Sequence, residues 1–149
     1  MHLSVEGKRL FDISALQNAK ALRVFEFTIA TSRTDRQDIH SLSPLSSLPS
    51  LERVKIQGAR IADENIEHLI AIPNLQSIFV SPNTYTLEDF AKFEAQKLKI
   101  GQEYGVYGED DEYFYCYGKD VRPWCIPKEK MVKIQEYLNR YRILMSKYK

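Results

Sequence analysis

Cysteine, histidine, glycine and net charge are all scarce in this 149-residue sequence, and each scarcity excludes a class of protein. Two cysteines are too few for a disulfide scaffold. No apolar run approaches the roughly 18 residues of a membrane span. The start, Met1-His2-Leu3-Ser4-Val5-Glu6-Gly7-Lys8-Arg9, lacks the uninterrupted apolar stretch of a secretory signal. Charge of one sign is lacking too, since 21 Lys and Arg against 20 Asp and Glu leave +1. That balance removes the whole-chain argument for a nucleic-acid binder. His2, His40 and His68 stand far apart, with no spacing that suggests a metal site. Gly101, Gly105 and Gly108 have neither the spacing nor the following helix of a phosphate-cradling loop, and no Ser or Cys is paired with a His as a nucleophile. The expectation is a cytoplasmic, single-domain protein with no metal, cofactor or membrane partner.

What is present is unevenly placed. Residues 1–100 carry 12 basic and 12 acidic residues, which cancel. The segment Glu103–Glu112 has Glu103, Glu109, Asp110, Asp111 and Glu112 with no Lys or Arg, whereas Lys128–Lys149 has seven basic residues against two acidic ones. Of nine tyrosines, all but Tyr85 lie beyond residue 100. The change of character near Gly101 predicts a capping subdomain, because fewer than about 50 residues rarely build an independent core.

An internal repeat organises the first hundred residues. Leu22-Arg-Val-Phe25-Glu-Phe27, Leu51-Glu-Arg-Val54-Lys-Ile56 and Leu75-Gln-Ser-Ile78-Phe-Val80 share apolar residues at positions 1, 4 and 6, and Ala95-Gln-Lys-Leu98-Lys-Ile100 is a weaker fourth copy. The steps are 29, 24 and 20 residues, and two copies follow Leu48-Pro49-Ser50 and Ile72-Pro73-Asn74. Between them the period becomes helical. Asp63 is positioned to cap a helix bearing Ile66, Leu69 and Ile70, and Thr86 with Asp89 forms a capping box before Leu87, Phe90 and Phe93. Asp35 or Asp38 is placed to start a further turn through Ile39 and Leu42, which Pro44 would interrupt.

Helix, short link and L-x-x-L-x-L resembles a leucine-rich repeat, and the resemblance covers about residues 13–101. It implies an α/β fold in which parallel strands, backed by helices, form a short solenoid. Residues 1–12 would be an N-terminal hairpin cap, 13–101 an array of about four repeats, and 102–149 a C-terminal capping subdomain. Positions 3, 5 and 7 would then line the open face: Val24, Arg53, Ser77 and Lys97; Glu26, Lys55, Phe79 and Lys99; Thr28, Gln57, Ser81 and Gly101. Four basic residues and one aromatic make that face a candidate for a partner.

Beyond the repeats, strands at about 103–107 and 113–117 are predicted on either side of the acidic turn Glu109-Asp110-Asp111-Glu112. Arg122-Pro-Trp124-Cys-Ile126-Pro127 reads as an extended connection. Met131, Ile134, Leu138, Tyr141 and Met145 form one apolar stripe on a helix spanning about 128–147. Cys116 and Cys125, separated by eight residues, are expected as small apolar residues rather than a disulfide.

Leucine-rich-repeat proteins generally bind other proteins, so the resemblance implies a non-catalytic interaction module. More narrowly, the chain resembles small bacterial proteins that pair a truncated array with a family-specific tail, some of which are immunity proteins that neutralise a toxin. The candidate contact residues are Arg53, Lys55, Phe79, Lys97 and Lys99 on the open face, with Tyr107, Glu109, Asp110, Asp111, Glu112 and Tyr113 at the acidic turn. Two other readings compete. One is an enzyme using Asp110, Glu112 and nearby tyrosines, which requires a closed pocket. The other is nucleic-acid binding through the basic open face or the basic C-terminal helix, which the neutral total disfavours.

Overall fold

Apolar residues recur at every third position in three stretches of the chain: Ile13, Leu16, Ala19, Leu22; Leu42, Leu45, Leu48, Leu51; and Ile66, Leu69, Ile72, Leu75. A backbone wound at three residues per turn puts such residues on one side. In the computed structural model, which describes residues 1–6, 12–29, 37–98 and 107–149, the first two stretches wind this way and the third combines the same spacing with one α-helical turn. The amides of Leu16, Ala19 and Leu22 donate to the carbonyls of Ile13, Leu16 and Ala19 at 2.8–2.9 Å, and those of Leu45, Leu48 and Leu51 repeat the pattern at 2.9–3.3 Å. Leu69 and Ile72 do so in the third copy. Each stretch opens on a short polar side chain that accepts from the amide two residues on: Asp12 from Ser14 (2.7 Å), Ser41 from Ser43 (3.0 Å) and Asn65 from Glu67 (3.0 Å).

Two compact units result, Met1–Thr84 and Tyr85–Lys149. The first is mixed α/β. Its strands are β1 (His2–Glu6), β2 (Val24–Thr28), β3 (Gln37–Ile39), β4 (Arg53–Gln57), β5 (Ala59–Ile61) and β6 (Ser77–Phe79), with one α-helical turn, α1 (Glu67–Ile70), between β5 and β6. The main sheet is wholly parallel in the order β1-β2-β4-β6, with Leu3, Phe25, Val54 and Ile78 in one register row; β3 and β5 form a separate parallel pair. Phe25, Phe27, Val54 and Ile56 point to the side of the buried Leu22, Leu45, Leu51, Leu69 and Leu75, which together form the core. Positions 1, 4 and 6 therefore do face inward.

Several expectations are corrected here. Residues 2–6 pair in parallel with β2, Met1 accepting at its carbonyl from the Arg23 amide (2.8 Å) just as Arg23 accepts from Glu52 (2.8 Å) and Glu52 from Gln76 (2.7 Å), while the second half of the expected hairpin lies outside the described residues. Pro44 starts the Ser43–Ser47 turn instead of interrupting one, since a first-turn residue needs no amide donor. Asp63 is not a helix cap. It accepts from the Ser41 hydroxyl (2.7 Å) and pairs with His68 Nε2 (2.9 Å), while the Asn65 side chain accepts from the Glu67 amide (3.0 Å) just ahead of α1. The fourth copy is not a strand: Ala95–Leu98 completes helix α2 (Leu87–Leu98). Ala, Gln, Lys and Leu are strong helix formers, and apolar residues three apart suit a helix as well as a strand. The unit boundary accordingly falls at Thr84–Tyr85, not near Gly101.

The second unit begins with the capping box as expected. Thr86 donates from its amide (3.1 Å) and hydroxyl (2.7 Å) to Asp89, whose amide donates back to Thr86 Oγ1 (3.1 Å). Leu87, Phe90, Ala91, Phe93 and Ala95 of α2 are buried. Strands β7 (Tyr107–Glu109), β8 (Tyr113–Cys116) and β9 (Cys125–Pro127) form an antiparallel sheet, so the segment read as a connection supplies a third strand. Helix α3 (Met131–Ser146) follows and packs on α2. Its buried face is Ile134, Tyr137, Tyr141, Leu144 and Met145, rotated from the predicted stripe, and Met131 is exposed. Tyr137 decides that rotation. Its hydroxyl accepts from the Tyr117 amide (3.1 Å) and donates to the Tyr117 carbonyl (3.3 Å), which satisfies a phenol inside the core. Cys116 and Cys125 are free thiols. Tyr115 pairs with Cys125 and Phe114 with Ile126, so the two thiols lie on opposite sheet faces.

Gly118 adopts φ +121°, and a Cβ there would sit 2.8 Å from Val121 Cγ2 and 3.0 Å from Leu87 Cβ. Gly118→Ala is therefore expected to cost about 1–3 kcal/mol of stability, from backbone strain alone before any steric displacement. Denaturant unfolding measures the loss; an unchanged midpoint would contradict the assignment.

Candidate functional site

The residues singled out from the sequence fall on two surfaces, one in each unit. On the first unit's open sheet face, alternation exposes His2, Ser4, Val24, Glu26, Arg53, Lys55, Ser77 and Phe79 to varying degrees. Parallel register sets Lys55 beside Phe79, and its Nζ lies 5.9 Å from the ring centroid. Phe79 is 51% exposed, so it does not pack under another segment. Arg53 occupies the same face one pleat earlier. Glu26, in register with Lys55, pairs with His2 at 3.4 Å and breaks the positive stripe.

Lys97 does not join that face. It lies on α2 in the second unit, only 2% exposed, with Nζ 5.9 Å from the Phe93 ring, and burial pushes its ammonium pKa down. Lys99 lies outside the described residues. The predicted row of four cations thus reduces, among the described residues, to Arg53 and Lys55. A shallow cleft of about 250 Å³ in the same unit is lined by Gly58, Ala59, Arg60, Glu64, Ser81, Asn83 and Thr84, none of them among the predicted contact residues.

On the second unit, the acidic turn joins β7 to β8, and Asp110 is its organising residue. Asp110 Oδ1 accepts from the amides of Glu112 (2.9 Å) and Tyr113 (2.7 Å), and Oδ2 accepts from the Tyr115 hydroxyl (2.6 Å). The Asp110 amide donates to the Tyr113 carbonyl at 3.0 Å, closing the turn. These donors hold the Asp110 carboxyl below its usual range, the Tyr115 hydroxyl contributing most. The same bond raises the Tyr115 phenol to about 12. Glu109 pairs with Lys128 at 3.1 Å. Asp111 and Glu112 are exposed, and their carboxylates make no ion pair among the described residues.

Strand alternation sorts the aromatics. Tyr113 and Tyr115 face outward, while Phe114 and Cys116 face the core with Tyr107 stacked on Phe114 at 5.0 Å. Tyr107 stays 44% exposed at that edge. Trp124, just before β9, is 55% exposed and stacks on Tyr115 with centroids 6.4 Å apart and planes 28° apart. Tyr113 lies 6.5 Å from Tyr115 on the other side. The outer face of this sheet is thus a row of three aromatic rings bordered by carboxylates. Sequence reasoning identified Tyr113 and the acids but not Tyr115 or Trp124. The period-two alternation of Tyr113-Phe-Tyr-Cys could have found Tyr115, whereas Trp124 required knowing that 125–127 pairs with β8.

A carboxylate held ionised and a phenol held neutral by one mutual hydrogen bond are both displaced away from neutral pH, the opposite of what general acid–base work needs. A second polar group, Ser41-Asp63-His68, escaped sequence analysis because its members come from separate copies. Ser41 and His68 both reach Asp63 Oδ2, at 2.7 and 2.9 Å, so the imidazole does not stand between hydroxyl and carboxylate as a nucleophile triad requires. Ser41 first, then His68, lowers the Asp63 carboxyl pKa.

Asp110 is depressed in the folded chain, so its contribution to stability is present above the ordinary carboxyl value of 3.8 and is lost as pH falls through the depressed one. Tyr115 is raised, so its contribution is complete below 10.0 and is lost as pH climbs through about 12. In Tyr115→Phe, the Asp110 carboxyl is expected to titrate closer to 3.8 by NMR, and a phenolate step near about 12 should drop out of the absorbance titration. An unmoved Asp110 titration would show that the hydrogen bond does not hold it.

No protein-family model matches the chain, and searches of curated proteins and of solved structures likewise find no match.

Proposed function

We propose that the chain is a non-catalytic protein-binding module whose first unit is a short solenoid of the leucine-rich-repeat kind. The solenoid reading is supported by three copies of one hydrogen-bonded turn, each opened by Asp12, Ser41 or Asn65 and each feeding a strand of one parallel sheet. The binding reading is carried by one observation: a row of exposed Tyr113, half-buried Tyr115 and exposed Trp124 beside the carboxylates of Asp111 and Glu112, which make no ion pair among the described residues. Large aromatics left in solvent next to uncompensated charge cost solubility and stability without return in an isolated molecule, whereas both are favoured at contact surfaces.

The partner is another protein with a basic surface. In the narrower form of this reading, that protein is a toxin whose cationic cleft the acidic turn occludes, and the chain is its bacterial immunity protein. Covering an active site needs shape and charge alone, which fits a surface without acid–base chemistry.

Affinity purification from native cells should recover a stoichiometric partner, and co-expression of the chain should relieve that partner's toxicity. With the purified pair, reversing both free carboxylates (Asp111→Lys with Glu112→Lys) is expected to slow association by about tenfold at low ionic strength, with the difference shrinking as salt rises. Association that ignores both the reversal and the salt concentration would exclude the acidic turn as the contact.

A further inference from the structure

The outer face of the β7-β8-β9 sheet carries more chemistry than an undirected apolar patch. Tyr113 and Tyr115 come from β8 and Trp124 from the residue just before β9, positioned by the pairing of Tyr115 with Cys125 and by the hairpin that Asp110 closes. Tyr115 and Trp124 are stacked with centroids 6.4 Å apart, Tyr115 is half-buried and Trp124 is 55% exposed. Tyr115 also donates to a carboxylate, a bond that moves electron density toward its ring and deepens the negative potential over the ring face. Cations are drawn to such faces, and a planar guanidinium is drawn more than a compact ammonium because it stacks as well.

The charges around the row point the same way. Asp110 anchors one end of it through the Tyr115 hydroxyl, and Asp111 and Glu112, next to it in the turn, make no ion pair among the described residues. Lys128, whose amide donates to the Glu112 carbonyl at 2.9 Å, has its ammonium engaged by Glu109. A sugar would use the rings but has no call on the negative charge, and an anion would be repelled.

We propose that this face is an arginine-docking platform: an exposed Arg of the partner protein lays its guanidinium on the stacked Tyr115–Trp124 pair while the carboxylates of Asp111 and Glu112 meet its charge. The proposal rests on the protein-binding reading above and names the partner's anchoring chemistry. The aromatic pair supplies geometric selection, and the turn supplies the long-range attraction that brings a basic surface to it.

Trp124 is the sole tryptophan, so its fluorescence reports this surface directly. The test titrates the full chain with an oligo-arginine peptide, an oligo-lysine peptide of equal length and the neutral oligo-citrulline analogue, read by Trp124 emission and by calorimetry. Oligo-arginine is expected to perturb the emission and to bind about two- to fivefold more tightly than oligo-lysine, with no binding by oligo-citrulline. Trp124→Ala, read by calorimetry with circular dichroism as a check on folding, should remove the arginine preference while leaving weak charge-driven binding. Tyr115→Phe keeps the ring and should retain part of the preference. Equal affinity for the arginine and lysine peptides, or a preference that survives Trp124→Ala, would overturn the platform. These measurements need no natural partner. Their failure therefore leaves the module reading standing, while failure to recover any partner from cells would count against the module and not against the platform.

Discussion

An apolar residue at every third position, three times over, is the constraint on which the first unit depends. Wound at three residues per turn, Leu42, Leu45, Leu48 and Leu51 present one continuous apolar edge, and the flanking copies from Ile13 and Ile66 present edges of the same shape. Edges of equal pitch stack. Once stacked, they deliver the chain to Arg23, Glu52 and Gln76 in equivalent positions, and the strands beyond have little choice but to run parallel and in register. The 29- and 24-residue steps show where the constraint is silent: the difference lies between the strands and the next turn, outside the stacked edges.

In the second unit, carboxylates hold the joints. Asp120 accepts from the Leu87 amide at the start of α2 (2.8 Å) and pairs with Arg140 of α3, so one side chain ties the β8–β9 connection to both helices. Asp110 performs the equivalent service in the hairpin. Of the acids that looked surplus in the sequence, one builds the turn, one pairs with Lys128 and two face solvent. The distinction matters for function, because only uncommitted charge can be given to a partner.

The inward positions 1, 4 and 6, the capping box at Thr86 and the acidic hairpin were all legible from spacing. The failures share a cause. Ala95-Gln-Lys-Leu98 satisfies a strand template and a helix template alike, and only the helix already running from Leu87 selects between them. Lys97 was therefore assigned to a solvated sheet face when it lies buried on a helix. Likewise, the stripe on α3 was right in period but not in phase, because the phase is fixed by the Tyr137–Tyr117 hydrogen bonds, a contact twenty residues distant.

The sequence by itself determined local winding: which segments turn, which extend, and which residues of each strand face inward. Those properties follow from periods of two and three and from the side chains that cap them, all within a few residues. Only the tertiary structure decided partnership. That Lys55 meets Phe79, that Cys116 and Cys125 are parted by a sheet, and that Trp124 completes an aromatic row with Tyr115 depend on strand pairing. Pairing is settled by packing between segments distant in the chain, and no local pattern encodes it.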